Sequence, residues 1–380
     1  MTVRTESAAP QFQALVRAVP WGRVFLWTFV GLGSVAAVYR LVYGLGAATN
    51  LSDGRPWGLW ISLDVLCGVA LAAGGFTIGA IVKIFHLRRF YPILRPTILT
   101  AFLGYVMAAG SILFDLGLPW RIWHPLVYQN WHSPMLEVAL CVMSYLAVLA
   151  LEMSETFFEG MGWKSLQHIV EGLMIPLVIA GITLSTMHQS SLGTLYVLAS
   201  DRVFALWRTG YLPLLFFISA VAAGLSMTIV ESNLAADAYG VGLEQDLLAD
   251  LGRYTAWVLV IYLVLKVGTL IGSRGAAALF SGGLNSVLFW VEVLGGVVLP
   301  MGLLFLPQVR RSRKALFRAA LLVVLGVVLN RFNVSFFAFS AAPYVPTWME
   351  WAITLGITSA AILFYDFFVR HFPVFRRKPT

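Results

Sequence analysis

Leu59-Trp-Ile-Ser-Leu-Asp-Val-Leu-Cys-Gly-Val-Ala-Leu-Ala-Ala-Gly-Gly-Phe-Thr-Ile-Gly-Ala-Ile-Val-Lys-Ile84 carries one acid, Asp64, and one base, Lys83, in 26 residues. At ~1.5 Å rise per residue, a helix of that length exceeds the ~30 Å hydrocarbon core of a bilayer. The run is continuous and lacks the two-residue alternation of a barrel strand, so it reads as a transmembrane helix. Nine more stretches share its character, at 23–45, 97–117, 134–155, 166–187, 211–232, 249–272, 284–307, 316–336 and 347–369. The 380 residues are 59% hydrophobic and 12% charged, a balance no soluble domain of this size can carry on its surface. The expected fold is an all-α polytopic membrane protein with about ten transmembrane helices. It forms one domain over 1–380: a cytoplasmic segment 1–20, helices within 21–370 and a basic cytoplasmic tail 371–380.

The net charge of +8 sorts by loop. With the N-terminus inside, 18 of the Lys and Arg residues fall on the inner side and 8 on the outer. The positive-inside rule then places both termini in the cytoplasm. The basic excess is a topology signal, and no nucleic-acid partner is expected. The polar first twenty residues predict no cleaved signal peptide. The acidic, base-free inner segment Asn233–Gln245 runs against the rule locally. Outside, Pro119–His132 carries Trp120, Trp123, Tyr128 and Trp131, residues suited to headgroup depth. His188–Gly210 reads as a second outer segment of similar character. Gly68, Ala72, Gly75 and Gly79 form a small-residue stripe for close helix packing.

Asp64 and Glu137 lie inside apolar spans and enter from the same outer side, roughly 5 to 8 Å below the boundary at the α-helical rise. Ionisable groups at such positions are costly and point to function, here proton handling. Asp115, Arg40, Glu350 and Glu152 stand near span ends and are expected to snorkel. Lys266, Glu292 and Arg331 suit either an internal ion pair or a functional role. Cys67 and Cys141 are too few for an iron–sulfur site, and no Cys-x-x-Cys occurs. The histidines permit two haem pairings, His132 with His188 and His86 with His168, but no two pairs repeat on one pair of helices, so haem is not expected. A transporter reading would need matched breaks in paired helices. Pro176 in the fifth span and Gly295-Gly296 with Pro300 in the eighth do not match in position.

Several strings together resemble one family: Arg55-Pro-Trp-Gly-Leu-Trp60 with Asp64, Ser133-Pro-Met-Leu-Glu137, Thr186-Met-His-Gln-Ser-Ser191, Leu288-Phe-Trp-Val-Glu292 and Pro346-Thr-Trp-Met-Glu350. The chain resembles, over nearly its whole length, the NrfD/polysulfide-reductase family of integral membrane subunits, and among them those serving periplasmic nickel–iron hydrogenase. The resemblance implies two four-helix bundles plus flanking helices in a bacterial inner membrane. This agrees with the entry of Glu137 and Glu292 from the same side in the fourth and eighth spans. It also implies a quinone-reacting subunit of a hydrogen:quinone oxidoreductase, without haem. Electrons would come from a periplasmic ferredoxin-like iron–sulfur subunit and the small and large subunits of a [NiFe] hydrogenase. The position of Glu137 is the one the resemblance associates with proton transfer. A chain with no redox centre of its own must bind a diffusible carrier. The expected site therefore takes a lipid-soluble quinone, menaquinone or ubiquinone, near the outer face. His188, Trp60 and Trp131 line it, with His132 and Glu292 as further binding candidates, and Asp64 and Glu137 handle protons. Glu152, His168, Glu171 and Asp366 are candidates for a proton path from inside. A haem b cytochrome subunit or a proton-coupled transporter are the alternatives.

Overall fold

The computed structural model describes residues 20–271, 274–339 and 344–375. The expectations for residues 1–19 and 376–380 lie outside them. Among the described residues, ten helices are long and apolar enough to cross a membrane: α1 (Trp21–Tyr43), α2 (Trp60–Ile84), α3 (Arg88–Asp115), α4 (Pro134–Met161), α5 (Lys164–Leu198), α6 (Leu212–Tyr239), α7 (Gln245–Ile271), α8 (Leu284–Phe305), α9 (Arg313–Phe337) and α10 (Trp348–His371). The described residues contain no β-strand, only the isolated bridges Ser52–Arg55 and Val203–Phe339. This is the expected multi-pass all-α membrane fold.

Packing divides the spans into two four-helix groups, α2–α5 and α6–α9, which meet where α6 lies against α2 and α5. Helices α1 and α10 pair with each other and lean on α3. Two pairs of glycines set the closest approaches. Gly74 of α2 faces Gly224 of α6, and Gly296 of α8 faces Gly326 of α9 backbone to backbone. A Cβ on Gly326 would strike the Gly296 backbone, whereas one on Gly302 would meet nothing within 4 Å. Gly326→Ala is therefore expected to cost about 1–3 kcal/mol by overpacking. Thermal unfolding of the detergent-solubilised protein, with Gly302→Ala as control, measures this. The predicted stripe on α2 packs against α3, with Gly75 close to Ala101 and Ala72 close to Gly104.

Three of these spans contain π-helical turns. Helix α2 opens with π-helical turns at Trp60–Val65 and closes with them at Ala80–Ile84, α8 has a π segment at Val291–Val298, and α9 ends in one at Asn333–Phe337. Such insertions recur at functional sites, and here they carry Asp64, Glu292 and Asn333. Helix α5, by contrast, runs unbroken through Pro176.

The sequence places an outer loop from His188 onward, but α5 continues to Leu198. Polar residues end the hydropathy signal there without ending the helix. Thr186, Ser191 and Thr194 bond back to carbonyls one turn earlier, and His188, Gln189 and Ser191 are buried. Helix α3 likewise begins before the predicted 97, because Arg95 is buried and paired with Glu155 at 3.0 Å and Glu159 at 2.5 Å. The acidic segment after Asn233 also finds its counter-charge. Arg313 bonds Asp237 at 2.6 Å and the Asn233 side chain at 3.0 Å.

Candidate functional site

One face of the bundle carries the segments around 44–59, 116–133, 199–211 and 344–347, and the other carries most of the arginine–carboxylate pairs. Beneath the loop-rich face, Asp64 is buried where α2, α3 and α10 meet. Its Oδ2 accepts from Ser111 Oγ at 2.9 Å and Thr354 Oγ1 at 2.8 Å. Nearer the surface Glu350 closes a capping box with Thr347 at the start of α10. Its carboxylate also accepts from the Tyr344 hydroxyl, and its carbonyl from Trp60 Nε1 at 3.3 Å. Burial and the Glu350 carboxylate push the Tyr344 hydroxyl above its usual range, so it stays a proton donor. Trp60 is buried beside Ala36, Ala352 and Ile353.

The expected snorkelling does not occur. Arg40, Glu350 and Glu152 are buried, and Asp115 is half-buried with its Oδ1 lacking a partner among the described residues. Arg40 instead caps α3, donating to Phe114 O at 2.7 Å and to Leu116 O. A span-end position fits both a snorkelling side chain and a capping one, so only the tertiary partner separates them.

Deeper in the first bundle His188 is 0% exposed. Its Nδ1 lies 3.0 Å from the Tyr105 hydroxyl, and Tyr105 packs edge-on against Tyr145. With Tyr105 donating, the neutral ring carries its proton on Nε2. Gln189 donates to Val69 O at 3.0 Å. His188 Nε2 and Gln189 Oε1 are buried without a hydrogen-bond partner among the described residues, and Tyr145 OH and Ser185 Oγ, also buried, lie close to each other without a well-formed bond. Buried polar atoms are rarely left so, and such a group marks a place for water or ligand.

Glu137 sits in the first turn of α4, half-buried, with no side-chain partner among the described residues. Cys141 and Tyr145 follow at one-turn intervals on the same helix, so Glu137 stands about 12 Å along the axis from Tyr145 at the α-helical rise. Glu152 lies seven residues beyond Tyr145 and borders a crevice with Lys83, Tyr91, Arg95 and Glu155 at the opposite end. His168 and Glu171 pair on the exposed surface, and Asp366 holds Arg23 and Arg370.

The structure brings Trp60 and Asp64 onto one helix end and places His188 on α5 beside Tyr105. Trp131 is 76% exposed and His132 is also exposed, both on the 116–133 segment. Glu292 belongs to the second bundle. Its carboxylate accepts from Lys266, Asn330 Nδ2 at 2.8 Å, Trp207 Nε1 at 2.8 Å and Asn333 Nδ2 at 2.7 Å. Sequence reasoning missed Tyr105, Tyr145, Ser111 and Thr354. Hydroxyls within spans are common, and nothing in their spacing sets these four apart.

The histidines do not form a bis-histidine haem site. Of six histidines only His188 is buried. His132 is on an exposed segment, and His86 and His168 are exposed, so neither proposed pair forms an axial couple. No group of three or more His, Cys, Asp or Glu residues suited to a metal ion occurs among the described residues.

The described residues thus form a ten-span helical membrane protein with buried acid–base groups. Residues 47–340 match the family model of polysulphide reductase NrfD, and the chain belongs to that family. It is 38% identical to a protein of Nitratidesulfovibrio vulgaris over 94% of this chain and 95% of that one. It is 35% identical to the Escherichia coli protein described as a probable Ni/Fe-hydrogenase 2 b-type cytochrome subunit, over 89% of this chain and 88% of that one. With the integral membrane subunit of menaquinone reductase from N. vulgaris it shares 29% identity, over 92% and 90%.

Proposed function

We propose that this chain is the quinone-reacting membrane subunit of a hydrogen:quinone oxidoreductase complex in a bacterial inner membrane, with the loop-rich face periplasmic. Similarity to a subunit named for Ni/Fe-hydrogenase 2 and to one named for menaquinone reductase supports that pairing of donor and acceptor. A periplasmic ferredoxin-like iron–sulfur subunit, fed by the small and large subunits of a [NiFe] hydrogenase, supplies electrons at that face.

The observation that carries the site is the set of partnerless buried atoms around His188. His188 Nε2 and Gln189 Oε1 offer one donor and one acceptor inside an apolar bundle, the sparse polar content of a small-molecule pocket. Quinone, as substrate, takes two electrons and two protons. Asp64 and Glu137 hold those protons at the periplasmic end, and Trp60 fixes the helix end that carries Asp64. Trp131 and His132 stand at the mouth, at headgroup depth. Glu292, with four donors of its own, acts from the second bundle. From the cytoplasmic side protons enter at Glu152 and reach the Tyr145 hydroxyl, while His168, Glu171 and Asp366 serve the surface.

Glu137→Gln tests the reading. In the assembled complex it is expected to lower hydrogen-dependent quinone reduction at least tenfold, since a positioned acid–base group contributes ~10²–10⁴, and to leave dye-linked hydrogen oxidation intact. Unimpaired quinone reduction removes Glu137 from the proton path.

A further inference from the structure

The second bundle holds a buried charge imbalance. Arg331 is 1% exposed and donates to Asn330 Oδ1 at 2.8 Å, Phe216 O at 2.9 Å and Ser219 Oγ at 2.9 Å, all neutral acceptors, while its guanidinium lies over the Phe216 ring. Asn330 links it to Glu292, whose other oxygen contacts are neutral apart from Lys266. Two buried cations thus share one carboxylate. An uncompensated charge in a low-dielectric interior is costly and favours a counter-ion.

Beside this network a crevice opens between α6, α7 and the 199–211 segment. Its polar lining is Arg208, Thr209, Tyr262, Lys266, Thr269 and Asn330, and no carboxylate lines it. Arg208 is exposed at the crevice and donates through Nε to Val203 O at 3.2 Å; its Nη groups have no partner among the described residues. The remaining lining is apolar, including Leu206, Leu212, Leu215 and Leu270. Alongside, the ends of α6 and α7 expose Leu214, Val267 and Ile271 to the surroundings. Cationic and hydroxyl donors over an apolar wall, next to a net positive interior, match an anionic acceptor-rich group at headgroup depth.

We propose that this crevice binds a phosphate group, held by Arg208 and Lys266 with Thr209, and carried either by a phospholipid headgroup or as free phosphate. The crevice lies in the other bundle from His188, and its Lys266 also holds the Glu292 that the quinone reading includes.

Native mass spectrometry of the full chain in detergent, titrated with phosphatidylglycerol, tests it. Wild type is expected to retain one phosphatidylglycerol about tenfold more tightly than Arg208→Gln, the loss of one charge-assisted bond, with a smaller loss in Thr209→Val. Displacement by inorganic phosphate assigns the site to free phosphate, and its failure to displace assigns it to the lipid headgroup. Equal retention by wild type and Arg208→Gln, or equal retention of diacylglycerol, which lacks the phosphate, overturns the proposal. Arg208 is exposed, so its substitution leaves the bundle packing in place.

Discussion

Lys266→Met is expected to destabilise the protein by about 3–5 kcal/mol, because it strands the Glu292 carboxylate in the second bundle without its cation. Glu292 is 1% exposed, so water cannot replace the lost partner. Its remaining donors, Asn330, Trp207 and Asn333, are neutral. The methionine fills much of the lysine stem's volume, which isolates the charge from packing. Removing the carboxylate as well, in Lys266→Met with Glu292→Gln, is expected to recover most of the loss. The glutamine carbonyl still accepts from Trp207 or one asparagine, and one amide donor is left opposed. Unfolding free energies of the four members of this cycle give the coupling directly. A Lys266→Met protein within 0.5 kcal/mol of wild type would mean that the pair is not closed in the membrane.

The same network shows where sequence reasoning reaches its limit. Lys266, Glu292 and Arg331 stand out as charges inside apolar runs, which is how the sequence picks them. That Lys266 and Glu292 close a pair while Arg331 has no carboxylate depends on helix rotation, and Asn330 and Trp207 carry no signal of their own. The ten spans were legible because lipid demands continuous apolar helices. The end of α5 was not, because Thr186-Met-His-Gln-Ser-Ser191 is polar yet turned inward. His188 was thereby placed beside an outer loop, although it is buried within the helix. Arg40 and Glu350 were misjudged for the converse reason. They stand where snorkelling is easy, but the α3 carbonyls and the Thr347 capping box give them closer partners. Asp64 stood out because a carboxylate five residues inside a span has few bland explanations. Its hydroxyl partners come from α3 and α10, 47 and 290 residues away, beyond any local pattern.

Those hydroxyls make Asp64→Asn the sharper probe of the proposed proton chemistry. Ser111 and Thr354 can donate to the asparagine carbonyl as they do to the carboxylate, so shape and hydrogen bonds persist while the exchangeable acid is lost. Hydrogen-dependent quinone reduction by the complex is expected to fall about a hundredfold, within the range for a positioned acid–base group, with dye-linked hydrogen oxidation unchanged. Full quinone activity would make Asp64 an orienting residue that holds α2, α3 and α10 together. The double variant with Glu137→Gln then separates two arrangements. If the two carboxyls act in series on one proton, the pair together falls no further than the worse single, because residues acting as a unit are non-additive. If each supplies one of the two protons, the losses multiply. Glu137 stands on α4 at the surface end of the bundle, and Asp64 stands on α2 behind Ser111 and Thr354. No hydrogen bond links them among the described residues, and this separation favours multiplication.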